Sequence, residues 1–509
     1  MLRTTFKRAL QTSGCQVRAV SMAAVNAEAP QRAPKREGDI SSVFASLSGM
    51  EDTPLPDRFR ELKLSLVAGH EQEVQHSWKR LLVALQKEND IVGSQKSNVI
   101  PEVEYANLEA DLVKKQGELR KRGAAIIRGV IPEQEARAYK DEVEAYVRKN
   151  PGTRGFPADN PQVFELYWSP PQVRARSHPN LVRVQRALMQ SLWHVSSPRA
   201  PIDTSQPLAY ADRLRIRQPG DAKFALGPHQ DGGSVERWER EGYGRGGVYD
   251  AVFAGRWEEY DPWDASGRVD AVIDLYDGMG GCSMFRMFQG WLSMSHSGPR
   301  RGTLLVNPLP QLSLAYTLLR PFFRPRKELD LDATPASSPA RREYLDPSNW
   351  EFTAGEAMTS DLQGARPSQG QEFPKLSMHP HLELDRTMVH IPDVKPGDFV
   401  VWHCDTIHAV DKVHNGDSDS SVMYIPVCPT TEHNAEYLVR QRQAFLDGTP
   451  GPDFPGGKGE AEHIGRATHK DVTDPMARRS MGLEKLLAAP DMQPGAKEAV
   501  QKANALLGF

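Results

Sequence analysis

The sequence predicts an α+β chain with helices at both ends and strands concentrated in the middle. Three patterns carry that expectation. Before residue 200 the apolar residues recur every three or four positions, as in Phe59, Leu62, Leu66 and Val67, and again in Trp78, Leu81, Leu82 and Leu85; this is the spacing of a helix with one buried face. Between about 201 and 433, short apolar or alternating runs are separated by turns rich in Pro, Gly and Asp, as strands are. From about Asn434 the helical spacing returns, is interrupted by a Gly- and Pro-rich loop at 448–457, and resumes in short helices. Four segments follow: 1–39, which is targeting or disordered; 40–200, a mainly helical region packing on the core; 201–433, the strand-built core with an insertion at about 309–374; and 434–509, a helical extension.

Composition narrows the class. The 509 residues carry 63 Lys and Arg against 66 Asp and Glu, a formal net charge of −3, so there is no basic excess to argue for nucleic acid. No apolar run approaches the ~18 residues of a membrane span. Cys15, Cys282, Cys404 and Cys428 are scattered and form no CxxC pair, which points to a reducing compartment rather than a disulfide framework. The first segment differs from the rest: Arg3, Lys7, Arg8 and Arg18 precede the first acid, Glu28, and Leu2, Phe6 and Leu10 form a stripe at helical spacing. Two readings share this composition. One is a mitochondrial transit peptide; the other is a disordered tail on a cytoplasmic protein.

Taken in order, Ala125 to Ile127 reads as a strand, Pro132 as the first position of a helix running to Lys149, and Leu181 to Val195 as a further helix. Arg213-Leu214-Arg215-Ile216-Arg217 alternates strictly, as a half-buried strand does. Its three arginines share a face that is either solvated or faces an anion. After the Pro219-Gly220 turn comes the stretch Gly227-Pro228-His229-Gln230-Asp231-Gly232-Gly233-Ser234. A loop rich in glycine and aromatics, Tyr243 to Trp263, then offers Trp257, Tyr260 and Trp263 as a substrate lid or as anchors on the core. Asp270–Tyr276 and Phe285–Ser295 read as strands, 309–374 as part surface arm and part loop, and Ser421–Pro429 as the closing strand.

The chemistry is expected at His229 and Asp231. Two residues apart on a strand, their side chains share a face. An imidazole and a carboxylate so placed can fill two adjacent sites of a metal, and a third ligand from elsewhere would complete a two-histidine, one-carboxylate facial triad. A lone His-x-Asp is weak evidence. A second stretch, Lys395-Pro396-Gly397-Asp398-Phe399-Val400-Val401-Trp402-His403 … His408, strengthens it. It resembles the second metal motif of iron(II)/2-oxoglutarate-dependent oxygenases, in which a Gly-Asp turn opens a strand and the distal histidine follows ten residues later; Asp398 and His408 keep that spacing. The resemblance makes His408 the third ligand, with His403 the runner-up and His414 a non-ligand.

More widely, the chain resembles phytanoyl-CoA-dioxygenase-like enzymes. Arg215–Asp221, Gly227–Trp238 and Met287–Trp291 are similar to an uncharacterised family of fungi and bacteria. The resemblance implies a double-stranded β-helix core of the jelly-roll or cupin type, iron(II) as metal, and 2-oxoglutarate and O2 as cosubstrates in the oxidation of a small molecule. It implies nothing about which small molecule or which oligomer. One departure matters. Many such enzymes carry an arginine on the closing strand, about ten residues after the distal histidine, to bind the cosubstrate carboxylate. Here Gly416–Val422 contains no Arg or Lys. Arg215, Arg217 and Arg286 are the expected replacements, because a guanidinium fork holds a carboxylate bidentately. Ser234, Arg237, Trp238 and Trp257 are the expected substrate contacts. The alternatives are a cupin-like metal enzyme that does not use 2-oxoglutarate, and a non-catalytic barrel serving as a binding module.

Overall fold

The structure is a computed structural model that describes residues 54–223, 225–278 and 281–509. The transit-peptide reading falls on residues outside that set. The described chain is a mixed α/β fold with two main sheets. The larger has eight strands, in the order Glu102–Glu104, Ala124–Arg128, Phe399–His403, Phe288–Ser293, Ser420–Tyr424, Leu214–Arg217, Val163–Phe164 and Gly155–Phe156. The smaller has five: Gln371–Glu372, His229–Gln230, His408–Val410, Leu304–Val306 and Val389–His390. Neighbouring strands run antiparallel except for the first pair of the larger sheet.

The period of two along each strand sorts the core into two layers. On the outer face of the larger sheet, Ile127, Phe399, Val401, Leu292, Leu214 and Ile216 pack against Tyr139 and Val143 of the helix Glu133–Lys149 and against Leu181, Val184 and Leu188 of the helix Pro179–Leu192. On the inner face, Ile126, Val400, Trp402, Trp291 and Val422 pack with Leu304 and Val306 of the smaller sheet. Each such side chain, fully withdrawn from water, contributes roughly 1.5–3 kcal/mol. His229 and His408 lie on the smaller sheet.

The amino-terminal helices form at the expected spacing, Arg58–Leu66 and Glu71–Gln95. Their partner was not foreseen. Trp78 stacks on Phe323 at 4.2 Å and on Tyr316 at 5.2 Å, so the long helix covers the segment read as a surface arm. That segment is ordered and packed: the helix Pro310–Leu319 has Leu314, Leu318 and Leu319 fully buried, and Phe323–Pro325 pairs with Trp350–Phe352. Gly123 ends the helix Leu108–Arg122 in the left-handed conformation, φ 62°, and a Cβ there would meet Pro310 Cγ at 2.5 Å.

Other expectations are corrected. Asp270–Tyr276 is loop, not strand. Pro132 is the N-cap of its helix rather than its first residue. The Leu214–Arg217 strand is buried on both faces, so its arginines are not a solvated edge. The closing run is two strands, Ser420–Tyr424 and Cys428–Thr431, with Pro426 between them. Cys428–Thr431 leaves the larger sheet to pair with Ile202–Leu208, and the helices Glu432–Asp447 and Pro494–Leu507 pack beside that pair. No helix among the described residues is long and apolar enough to cross a membrane.

Candidate metal centre

His229 and His408 are directly opposed across two antiparallel strands of the smaller sheet. Opposed residues point to the same face, and the two rings lie 4.0 Å apart between centroids. Asp231 follows two residues after His229. Its carboxylate completes the cluster, with Oδ1 3.7 Å from His229 Nε2 and Oδ2 3.9 Å from His408 Nε2. One donor atom from each of the three lies within 4.8 Å of the others. Gly232 and Gly233 then turn the chain away with φ of 73° and 96°, values that favour glycine. A Cβ on Gly233 would meet Tyr243 at 3.2 Å and the Ile273 carbonyl at 3.3 Å.

The hydrogen bonds fix which nitrogens face inward. His229 Nδ1 lies 2.8 Å from the Gly227 carbonyl and His408 Nδ1 3.0 Å from the Thr406 carbonyl. A carbonyl only accepts, so both Nδ1 atoms carry the proton and both Nε2 atoms present a lone pair to the cluster. This is the outer support that metal-binding histidines use. Burial, together with the neighbouring His229, pushes His408 down to about 3, which keeps it neutral and able to ligate. Burial alone would raise the Asp231 carboxyl; His229, His408 and Arg286 together hold it below its ordinary value. The donor set of two neutral imidazoles and one carboxylate fits a mononuclear transition-metal ion with positions left open.

The cluster forms the floor of a cavity of about 190 Å³ between the two sheets. Arg215 and Arg286 line it, with Gln289, Trp291, Trp402 and Tyr424 around them. Arg286 lies 3.5 Å from Asp231 Oδ2, so it steadies the carboxylate. Arg215 is buried and donates to the Gly302 carbonyl at 3.1 Å, while its Nε has no hydrogen-bond partner. Its strand partner is Val422 of the closing strand. Gln289 Nε2 and Trp402 Nε1 are also buried without partners. Sequence reasoning gave these two no role, although Gln289 and Trp291 share a strand face. Three such donors around one cavity suit a ligand rich in acceptors, such as a dicarboxylate.

The other expected site residues lie elsewhere. Arg217 points away from the cavity: Nε pairs with Asp221 at 2.7 Å and the fork caps the carbonyls of Asp411 and Lys412. Ser234 accepts from the Arg366 amide. Trp238 donates to the Leu318 carbonyl within the core. Trp257 packs in the same core, and Tyr260 and Trp263 are buried anchors rather than a lid. Arg237 is fully buried against Asp405. None of these residues lines the cavity.

A second group, His403, Cys404 and Asp405, also has donor atoms within 4.8 Å of one another, but its lone pairs are spent. His403 Nδ1 accepts from the Asp405 amide at 3.1 Å and Nε2 lies 2.9 Å from the Pro262 carbonyl. Asp405 is paired with Arg237 at 2.8 Å and Arg268 at 2.5 Å. Burial pushes the Cys404 thiol up to about 12.

Two sheets enclosing a cavity floored by a buried His-Asp-His cluster define an enzyme-like chain with a candidate mononuclear metal centre. The chain belongs to the Gig2-like family, whose model matches residues 53–483. It is 30% identical over 441 residues to the uncharacterized protein YbiU of Escherichia coli, covering 84% of this chain and 96% of that protein. Its fold matches the crystal structure of GlcNAc Inducible Gene 2 of Candida albicans with a TM-score of 0.77 and 32% identity, over 90% of this chain and 97% of the other. A Salmonella typhimurium protein provisionally named an oxidoreductase matches with a TM-score of 0.68 and 30% identity, over 85% and 99% of the two chains.

Proposed function

We propose that this protein is a non-haem iron(II)- and 2-oxoglutarate-dependent oxygenase that hydroxylates or otherwise oxidises a small molecule on a double-stranded β-helix core. The observation that carries the reading is the meeting of His229, Asp231 and His408 at the floor of a cavity that also holds Arg215, a buried arginine with no carboxylate in ion-pair range among the described residues. The provisional name of the Salmonella relative agrees with oxidation chemistry.

In this reading His229 Nε2, Asp231 and His408 Nε2 hold the metal. Arg286 would steady the Asp231 carboxylate. Arg215 pairs with the distal carboxylate of 2-oxoglutarate, and Gln289 and Trp402 donate to its remaining oxygens. Trp402, whose ring lies 5.1 Å from that of His408, together with Trp291 and Leu304, keeps water from the cavity wall. Iron(II), 2-oxoglutarate and O2, when bound, supply the oxidising power; the chain supplies placement and a dry pocket.

The test is anaerobic addition of 2-oxoglutarate to the iron(II)-loaded protein, followed by its charge-transfer absorption band. A band that saturates at one equivalent is the expected result. Iron binding through the triad without any band would favour a cupin-like metal enzyme, a reading for which the lack of Arg and Lys in Gly416–Val422 is the supporting observation.

A further inference from the structure

The buried group at His403–Asp405 is not a metal site, yet it is placed where it governs one. Asp405 lies in the turn between the Phe399–His403 strand, which carries Trp402, and His408. It reaches the other metal motif by two independent routes. Its backbone carbonyl accepts from Gln230 Nε2 at 2.6 Å, and Gln230 stands between the two ligands of the His-x-Asp triplet. Its carboxylate binds Arg237 Nη1 at 2.8 Å, and Arg237 Nη2 donates at 2.8 Å to the backbone carbonyl of Asp231 itself. On its own side, the amide of Asp405 anchors the His403 ring, and the next residue, Thr406, supplies the carbonyl that orients His408.

The charges explain how such a hub survives without water. Asp405 is fully buried between Arg237 and Arg268. Burial would raise its carboxyl, but the two guanidiniums hold it well below the ordinary carboxylate range. The excess positive charge is spread over aromatic faces: Arg237 lies 5.3 Å from the Tyr243 ring centroid and Arg268 5.5 Å from that of Trp193. Arg237 is thus held in one rotamer by Asp405, Tyr249 and Tyr243 before it touches Asp231. The bonds from Asp405 and Arg237 cross-link the two segments, and ligand atoms must be held to within about 0.5 Å to preorganise a metal site.

We propose that Asp405, Arg237 and Gln230 are positioning residues that lock the His229–Asp231 segment to the His408 turn and so set the geometry of the metal centre. This inference rests on the metal-site reading given above. Arg268 provides the matched control. It pairs with the same carboxylate and is as deeply buried, but its hydrogen bonds go to Tyr260, Pro262, Cys404 and Asp405, none of them in the His229–Asp231 segment.

The experiment compares Co(II) binding by the full-length chain, as affinity and as ligand-field absorption, in wild type, Arg237→Lys, Gln230→Met and Arg268→Lys, with thermal melting of each metal-free protein. Both lysine variants keep the charge beside Asp405. A lysine at 237 has one ammonium and cannot span Asp405 and the Asp231 carbonyl together. The expected result is Co(II) affinity at least tenfold weaker in Arg237→Lys and Gln230→Met, with altered ligand-field bands, while Arg268→Lys stays within about threefold of wild type although it melts as low as Arg237→Lys. Equal affinity in all four, or a loss in Arg268→Lys as large as in Arg237→Lys, overturns the inference and makes the hub a support of the fold only. If Arg237→Lys does not fold, Gln230→Met decides, and unchanged binding and bands there overturn the inference. Wild type that binds no Co(II) overturns the metal reading itself, an outcome distinct from the others.

Discussion

Replacing Arg215 by Met should weaken 2-oxoglutarate binding without weakening the fold or the metal site. Arg215 has a buried guanidinium, one hydrogen bond to the Gly302 carbonyl and an unpartnered Nε. No carboxylate offsets its desolvation, so an apolar chain of similar length removes a cost rather than a support. The Gly302 carbonyl is not orphaned, because Ser420 Oγ donates to it at 3.2 Å. The metal-free variant should therefore melt no lower than wild type. Pairing of a guanidinium with a carboxylate is worth ~1.5–3 kcal/mol, so 2-oxoglutarate affinity should fall by ~10- to ~150-fold. Arg215 touches none of the three ligands, so iron(II) affinity should be unchanged. Calorimetric titration under anaerobic conditions, first with iron(II) and then with 2-oxoglutarate, reads both. Unaltered 2-oxoglutarate affinity, or a Tm well below wild type, would refute the reasoning: the first removes Arg215 as the anchor, the second shows that it holds the fold.

The neighbouring arginine should behave in the opposite way. Arg217→Met strands Asp221 in a pair that is fully buried on the arginine side, and should cost ~3–5 kcal/mol of stability in denaturant unfolding, with little change in 2-oxoglutarate affinity once folded. Alanine at His229, Asp231 or His408 should abolish stoichiometric iron(II) binding, whereas His403→Gln should retain it; the reverse pattern would move the third ligand to His403. Acid should destabilise the metal-free protein from about pH 6.5 downward. Burial pushes His379, His381 and His408 down to about 3 and His403 to about 4, so the unfolded chain takes up protons that the folded one refuses. Glu236 and Glu460, raised to about 7 by burial, act in the opposite sense down to about pH 4.5. Four groups against two leave a net loss of roughly 2–3 kcal/mol per pH unit, and a flat or rising Tm between pH 6.5 and 4.5 would contradict it. For the amino terminus we propose mitochondrial import: residues 1–38 fused to a fluorescent reporter should direct it there, and a diffuse signal with an uncleaved terminus favours the disordered-tail reading.

What the sequence made legible was whatever depended on near neighbours. The Trp78 stripe gave its helix, and the two-residue spacing of His229 and Asp231 put their side chains on one side of the cavity. The strands bring His408 opposite His229. The strict alternation of Arg213 to Arg217 marks a strand but leaves open whether its arginine face is solvated or faces an anion, because nothing local shows that helices cover one side and a second sheet the other. Arg215 and Arg217 look equivalent in sequence; their fates differ because Arg217 meets Asp221 and two carbonyls some 190 residues away. The Pro- and Arg-rich stretch after Leu309 resembled a surface arm by composition, yet its first helix is buried under Glu71–Gln95 and its far end, Gln371–Glu372, pairs with His229. Asp405 was invisible as a hub for the same reason: its partners Arg237 and Arg268 lie 168 and 137 residues away.

The most direct measurement is anomalous scattering at the iron edge from crystals grown without oxygen in iron(II). The account predicts one strong peak within bonding distance, ~2.0–2.2 Å, of His229 Nε2, an Asp231 oxygen and His408 Nε2, with Arg286 still on the second Asp231 oxygen. A peak at His403–Asp405, or none in the cavity at saturating iron(II), would contradict it.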